Sequence, residues 1–160
     1  TVVTSRIRGR LDKLFVRNPQ ETVVKDQPLY SIYSEELLSY ENELLNALQQ
    51  QQQFTNMKDV MEQLVEAARK RLLLWGLTTE QITQLEKSRE ASPLITFYSP
   101  VSGTLVELPV SEGQYVETGT PLFRLADLSQ LWIEAQMYTS ELRWLYEKPV
   151  ITVEFDAYPN

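Results

Sequence analysis

Residues 99–129, SPVSGTLVELPVSEGQYVETGTPLFRLADLS, contain a pattern that occurs twice in this chain of 160 residues. The earlier copy, residues 8–34, reads RGRLDKLFVRNPQETVVKDQPLYSIYS; the copies align at an offset of 94 and, after one extra residue in a turn, of 93. The matched pairs are Gly9 and Gly103, Leu11 and Leu105, Leu14 and Leu108, Val16 and Val110, Val23 and Val116, Pro28 and Pro121, and Leu29 and Leu122. Such a repeat predicts several small modules rather than one continuous domain.

Glycines mark the turns of the second copy. Gly113 and Gly119, together with Gly103, are predicted as structural turn residues, because glycine takes positive φ at little steric cost. Gln20 and Asp26 occupy the positions of Gly113 and Gly119 in the first copy. Asp tolerates such a backbone better than Gln does. The first copy's turn has an added residue and Pro19, so we expect it to be less regular.

The apolar residues of each copy change phase along the strand. Leu11 is out of step with Leu14 and Val16 for a strand period of two, and the second copy shows the same change. A phase change shared by both copies predicts a β-bulge or kink early in the strand of each.

Residues 34–93, which separate the two copies, have a helical period instead. Ser34 is predicted to cap a first helix that runs to about Phe54. A second helix is predicted over residues 57–75, with Gly76 as the terminating residue. The connection between the two helices is so short that they are expected to form an antiparallel hairpin.

A short third helix is predicted from a capping box at residues 78–81 to Ser92. The acidic residues of the first helix, Glu41 and Glu43 among them, are predicted on a solvated polar face. The apolar stripe predicted for the second helix comprises Met57, Val60, Met61, Leu64, Val65, Ala68 and Leu72.

The sequence therefore divides into four predicted segments. Residues 1–33 form a first β unit with a lead-in strand, residues 34–93 the helical insertion, and residues 94–128 a second β unit. Residues 129–160, with a strand, a short helix and another strand, are interpreted as the opening of a further β-domain.

Composition excludes several classes of function. The net charge of −7 at pH 7 argues against nucleic acid as a partner, because phosphate binding needs a basic surface. The chain has no Cys and no His, which removes the usual nucleophile–base pairs and zinc ligands. We therefore predict no catalytic residue, no cofactor and no metal site. Any membrane anchor is expected outside this chain, because no long apolar span is visible.

Two half-motifs of the form G-x-L…V…G-x-x-V-x-x-G-x-P-L, with helices between them, resemble the lipoyl/biotinyl-like domain of periplasmic adaptor proteins. These are the membrane fusion proteins of tripartite RND-type efflux pumps. The phrases LYSIYS at 29–34, YSPVSG at 98–103 and EGQYV at 112–116 are most similar to the copper/silver, or heavy-metal, branch. The resemblance implies an α+β fold of several modules: a split lipoyl/biotinyl-like β-sandwich, an inserted α-helical hairpin with a short third helix, and part of a β-barrel domain.

The resemblance also implies a function. It is that of a non-enzymatic periplasmic adaptor for heavy-metal cation export, attached to the inner membrane through sequence outside this chain. Its implied partners are an inner-membrane RND-type transporter, an outer-membrane channel and other adaptor copies. Two alternatives remain: a lipoyl/biotinyl carrier domain of an enzyme complex, and an adaptor for drug efflux or type I secretion. A carrier needs a lysine on a tight hairpin between the halves, and here about sixty residues of helix replace that hairpin.

The hairpin tip is the predicted partner-binding site, with Gln52, Phe54, Asn56 and Met57 as its candidate residues. Neutral amides cost less to desolvate than charges, which suits a docking contact that forms and adjusts. The alternative is that the glutamine run at residues 49–53 is simply a solvated helix end, since Gln is a good helix former.

Met57 and Met61 lie one helical turn apart near that tip. Thioethers bind Cu(I) and Ag(I), so the pair is a candidate metal site. A place on the apolar stripe explains both residues more simply, because methionine fills irregular space in cores. We therefore assign no metal to them.

Overall fold

The computed structural model describes residues 1–53 and 57–128. The chain divides into two compact units, Thr1–Ser129 and Gln130–Asn160, and the described residues belong to the first. The predicted opening of a β-barrel domain at residues 129–160 lies outside the described residues, as do Phe54 and Asn56.

Eight strands and three helices make up the described part of the chain. In chain order they are β1 (Val2–Thr4), β2 (Gly9–Leu14), β3 (Thr22–Val23), β4 (Pro28–Tyr33), α1 (Glu35–Gln53), α2 (Lys58–Trp75), α3 (Thr79–Ser88), β5 (Leu94–Tyr98), β6 (Gly103–Glu107), β7 (Tyr115–Val116) and β8 (Pro121–Ala126). The strands form two antiparallel four-stranded sheets. Sheet A has the order β1-β8-β6-β3, and sheet B the order β5-β4-β2-β7.

The two copies of the repeat exchange strands. Each sheet takes two strands from the first β unit, residues 1–33, and two from the second, residues 94–128, and replacing every strand by its counterpart in the other unit converts one sheet into the other. Local contacts follow the same symmetry: the Ser5 hydroxyl donates to the Ile7 carbonyl at 2.6 Å, and the Ser99 hydroxyl donates to the Val101 carbonyl at 2.6 Å. The repeat therefore builds one domain with an internal two-fold relation, and neither copy has a complete sheet alone.

An aromatic cluster fills the space between the sheets. Tyr30 on β4 stacks on Phe97 of β5 at 5.2 Å between ring centroids and on Phe123 of β8 at 6.0 Å. All three rings are buried. Because Phe123 belongs to sheet A and the other two rings to sheet B, the cluster joins the two layers. Burial is the main stabilising term for such rings, and their stacking adds to it.

The bulges predicted from the phase change are confirmed in both copies. The β2–β4 register shifts between Leu11 and Lys13, and the β6–β8 register shifts between Leu105 and Glu107. These positions are equivalent in the repeat. Each bulge turns the strand so that a leucine on either side of it reaches the core.

The turns repeat between the copies as well. Gly113 and Gly119 have φ of 82° and 89°, and their counterparts Gln20 and Asp26 have φ of 70° and 66°. Gly103 differs from the turn residue that we predicted: it is the first residue of β6, and its φ is not positive. A Cβ there would lie 2.9 Å from the Ala126 carbonyl oxygen, so close approach of β6 and β8 accounts for the glycine.

The helix boundaries follow local signals. The Ser34 hydroxyl accepts the Leu37 backbone N–H at 3.3 Å, which confirms the predicted cap of α1. Gly76, with φ of 97°, ends α2 as predicted. The capping box of α3 is present, but this helix ends at Ser88 and not near Ser92. It stops because Arg89 takes a left-handed conformation and donates its N–H to the Leu85 carbonyl.

Candidate partner-binding arm

The arm, residues 34–93, leaves and re-enters sheet B through two neighbouring strands. The Ser34 backbone N–H donates to the Pro93 carbonyl at 2.8 Å, which holds the two chain passages together. Arg8, just before β2, pairs with Glu36 in the first turn of α1 at 3.4 Å. The base of the arm is therefore fixed to the sheet by backbone and side-chain contacts.

Glu41 is the residue of the arm that departs most from the sequence prediction. Glu41 was predicted on a solvated face, but it is only 2% exposed and lies in the buried stripe of α1. Its Oε2 accepts the Ser92 backbone N–H at 2.7 Å, which ties α1 to the segment before β5. The signal was present in the spacing, because residues 37, 41, 44 and 48 lie on one face of a helix.

Burial raises the pKa of the Glu41 carboxyl, and the hydrogen bond from Ser92 offsets part of that rise. A carboxyl with a raised native pKa stabilises the fold below its unfolded pKa, near 4, and that contribution is lost as pH rises through the native value. At pH values above the native pKa, Glu41 is a buried carboxylate, and burying that charge lowers the free energy of unfolding. An amide at the same position accepts the same hydrogen bond without becoming charged.

We therefore expect Glu41→Gln to gain stability relative to wild type as pH rises from about 4 to neutrality. Urea unfolding of both proteins across this pH range measures the difference. Glu41→Ala, which leaves the Ser92 N–H without its acceptor, is expected to be about 1–3 kcal/mol less stable than Glu41→Gln at every pH, because neither variant carries the titrating carboxyl. A pH-independent difference between wild type and Glu41→Gln would contradict the assignment.

Helix α3 braces the arm against the sheet. Arg69 of α2 pairs with Glu86 of α3 at 2.6 Å. At the other end of α3, the Gln81 side chain closes the capping box and donates from Nε2 to the Thr96 carbonyl of β5 at 2.8 Å. One helix thus connects α2 to an edge strand of sheet B, and it covers part of the unpaired edge of that strand.

The two long helices pack against each other from the base of the arm as far as Leu48 on α1 and Val65 on α2. Tyr40 stacks on Trp75 at 5.6 Å, and the Arg71 guanidinium lies 5.6 Å from the Tyr40 ring centroid. Arg71 also pairs with Glu43 across the helices. The buried residues are Leu37, Glu41, Leu44 and Leu48 on α1, and Val65, Ala68 and Leu72 on α2.

The exposure of several apolar residues on α2 corrects the apolar stripe that the sequence predicts for this helix. Met57, Val60 and Leu64 are 53%, 48% and 47% exposed, although the sequence places them with the buried residues. Met61 is half-buried. A helix with one neighbour buries only the stripe that faces it, and Val60 and Leu64 fall on the adjacent stripe. The core explanation therefore does not apply to Met57.

The predicted tip residues are only partly within the described chain. Gln52 is exposed in the last turn of α1, and Met57 is exposed directly before α2. Gln52, Gln53 and Met57 are uncharged and exposed, whereas Lys58 and Asp59 in the first turn of α2 are charged and exposed. Within residues 1–53 and 57–128, no helix combines the length and hydropathy of a membrane span.

Comparison with known proteins assigns this architecture to a family. Residues 1–126 match the family described as CusB, barrel-sandwich hybrid domain, and the chain belongs to it. It therefore carries a domain of the membrane fusion protein family, as the sequence predicted. The split sandwich with an inserted helical hairpin is likewise confirmed.

Three individual proteins are similar to this chain. The chain is 23% identical over 159 residues to SilB of Salmonella typhimurium, described as a membrane fusion protein; the match covers 99% of this chain and 35% of SilB. ZneB from Cupriavidus metallidurans is 18% identical, with a TM-score of 0.48 over 81% of this chain and 61% of ZneB. MacA from Actinobacillus actinomycetemcomitans is 22% identical, with a TM-score of 0.41 over 81% of this chain and 50% of MacA. The chain thus spans about a third of the length of SilB.

Proposed function

We propose that this chain belongs to a non-enzymatic periplasmic adaptor that links an inner-membrane RND-type transporter to an outer-membrane channel. The observation that carries the proposal is the arm itself, which is inserted between β4 and β5 and held at its base by the Ser34–Pro93 hydrogen bond. An arm braced in this way transmits a contact made at its far end to the β-domain. Attachment to the inner membrane is assigned to sequence outside these 160 residues.

The far end of the arm has the surface that such docking needs. Gln52 and Met57 are exposed, and neither carries a charge that would have to be desolvated. Phe54 and Asn56 complete the proposed tip. The domain division at residues 33, 93 and 128 gives each part a role: the β units form the base, and residues 34–93 reach the channel.

This arrangement argues against the lipoyl/biotinyl carrier alternative. A carrier presents one lysine on a tight turn between its halves, and here the β4–β5 connection is the arm. The arm contains three lysines, which are Lys58 and Lys70 on α2 and Lys87 on α3. The direct turn between β4 and β5 that a carrier would use is therefore replaced by the arm.

Heavy-metal cations are the proposed cargo of the pump. Membership in the CusB domain family and the likeness to SilB support this over drug efflux or type I secretion. The cation is cargo of the whole assembly, so the proposal requires no metal ligand in residues 1–128.

The cargo is tested in a bacterial strain that lacks its own copper/silver adaptor. We expect the full-length adaptor, expressed with its cognate transporter and channel, to raise tolerance to Cu(I) and Ag(I) salts at least about tenfold above the empty vector. Tolerance to organic drugs is expected to stay unchanged. Restored drug tolerance without a change for either metal would contradict the heavy-metal assignment and favour the drug-efflux alternative.

A further inference from the structure

The methionine at the far end of the arm is unusually accessible for an apolar residue. Met57 is 53% exposed and lies directly before α2, within the proposed tip. Met61, four residues later, is half-buried, and the third methionine of the chain, Met137, lies outside the described residues. Of the two methionines that the structure describes, Met57 is therefore the one that solvent and small solutes reach more easily.

Met57 begins an apolar stripe that continues along the surface of α2. Val60 and Leu64 are 48% and 47% exposed, and the spacing of three and then four residues places them on the same side of the helix as Met57. A partner that covers this stripe gains the free energy of apolar burial. It also buries the Met57 thioether at little cost, because a thioether is only a weak hydrogen-bond acceptor.

Peroxide changes the chemistry of such a side chain. Hydrogen peroxide transfers one oxygen atom to the thioether sulfur, which gives a sulfoxide and water; the sulfur loses two electrons and the peroxide is reduced. No thiol of the chain competes for the oxidant, because the sequence contains no Cys. The sulfoxide is polar, so covering it costs desolvation free energy that covering the thioether does not.

We propose that Met57 is an oxidation-sensitive site, and that its conversion to the sulfoxide by hydrogen peroxide weakens docking of the arm to the channel. This inference rests on the proposed function, because it assigns a regulatory modification to the proposed tip. The modification is reversible. Methionine sulfoxide reductases restore the thioether while a dithiol is oxidised to a disulfide and the oxygen atom leaves as water.

Peptide mass mapping of the purified chain tests the reactivity of the site. We expect dilute hydrogen peroxide to oxidise Met57 at least about threefold faster than Met61, because oxidation follows the accessibility of the sulfur. Each oxidised peptide is recognised by the gain of one oxygen atom. Equal rates at the two residues, or faster oxidation of Met61, would overturn the proposal.

Channel capture before and after oxidation tests the consequence for docking. The chain is treated with peroxide alone, the peroxide is removed, and the purified channel is then added, so that only the adaptor is oxidised. We expect capture by treated wild type to weaken at least about fivefold, because the sulfoxide must be desolvated. Treatment with the reductases for both sulfoxide epimers is expected to restore capture.

Two variants assign the loss to one residue. Met57→Leu has no thioether at the tip, and its capture is compared with that of its own untreated sample, so that its basal affinity does not affect the comparison. We expect peroxide to leave this ratio unchanged. A variant with both Met61→Leu and Met137→Leu keeps Met57 as its single methionine and is expected to respond to peroxide as wild type does.

The contrary results separate this inference from the proposed function. Unchanged capture by a chain whose Met57 is fully oxidised, or an equal loss of capture in Met57→Leu, would reject the oxidation-sensitive site. Neither result affects the proposed function, which requires only that untreated wild type binds the channel. Failure of untreated wild type to bind would instead reject the proposed adaptor function, and the inference with it.

Discussion

Gly9→Ala is expected to lower the free energy of unfolding by about 3–5 kcal/mol. A Cβ at this position would overlap the backbone carbonyl oxygen of Tyr33 and also press on Ile32. The overlap is with backbone in the middle of sheet B, where β2 pairs with β4, so no side-chain rotation relieves it. Urea unfolding followed by far-UV circular dichroism measures the loss.

Alanine substitutions at two other glycines provide comparisons for the expected loss of stability at Gly9. Gly103→Ala, at the equivalent position of the repeat, is expected to cost less, because its Cβ would lie 2.9 Å from the Ala126 carbonyl oxygen. Gly113→Ala meets no atom within 4 Å but has φ of 82°, so it is expected to cost about 1–2 kcal/mol from backbone strain alone. Equal losses at Gly9 and Gly113 would contradict close strand approach as the reason for the repeated glycine.

Tyr30→Ala is expected to cost about 3–5 kcal/mol, the usual range for removing a large buried aromatic side chain. Tyr30 is 2% exposed and stacks on Phe97 and Phe123, so its loss opens a cavity between the two sheets. Thermal or urea unfolding of the variant measures the effect.

Tyr30→Phe separates the ring from its hydroxyl. Burial raises the pKa of Tyr30, and Arg6 and a hydrogen bond with Ser5 partly oppose that rise. Losing the hydroxyl is expected to cost about 1 kcal/mol, because one hydrogen bond disappears while the ring stays packed. A loss for Tyr30→Phe as large as that for Tyr30→Ala would show that the hydroxyl, and not the ring, holds the layers together.

Much of the local structure was predictable, because its causes lie within a few residues. The phase change at Leu11 predicted both bulges, and Ser34, Gly76 and the capping box at Thr78 predicted helix ends. Each of these signals depends on backbone geometry or on a hydrogen bond to a near neighbour in sequence.

The exchange of strands between the two copies was not predictable from the same residues. The pairing of β6 with β3 and of β2 with β7 joins residues that are 80 or more positions apart in the sequence. No local pattern predicts which strands pair over such a distance. The repeat indicated two related units; only the pairing shows that they complete each other's sheets. Gly103 contacts β8 of its own copy, and its role in close strand approach likewise depends on a pairing that no local pattern records.

The arm shows a second limit of periodicity. The sequence placed Glu41 on the solvated face and Met57, Val60 and Leu64 in the core, and the structure reverses both assignments. A helical period identifies which residues share a face, but it does not say how wide a stripe a single neighbouring helix covers: Val65 is buried while the adjacent Leu64 is exposed. The uncovered residues lie in the half of the arm that is proposed to meet a partner.

The proposed role of the arm tip is tested most directly by channel capture. The chain is immobilised, and binding of the purified outer-membrane channel of the same pump is measured for wild type and for a Gln52→Lys, Met57→Lys variant. A matched control places the same substitutions at the exposed residues Gln84 and Leu74, away from the tip. We expect the tip variant to bind at least about tenfold more weakly than wild type, because two charges must then be desolvated, while the control binds as wild type does. Equal capture by all three proteins would contradict docking through the tip.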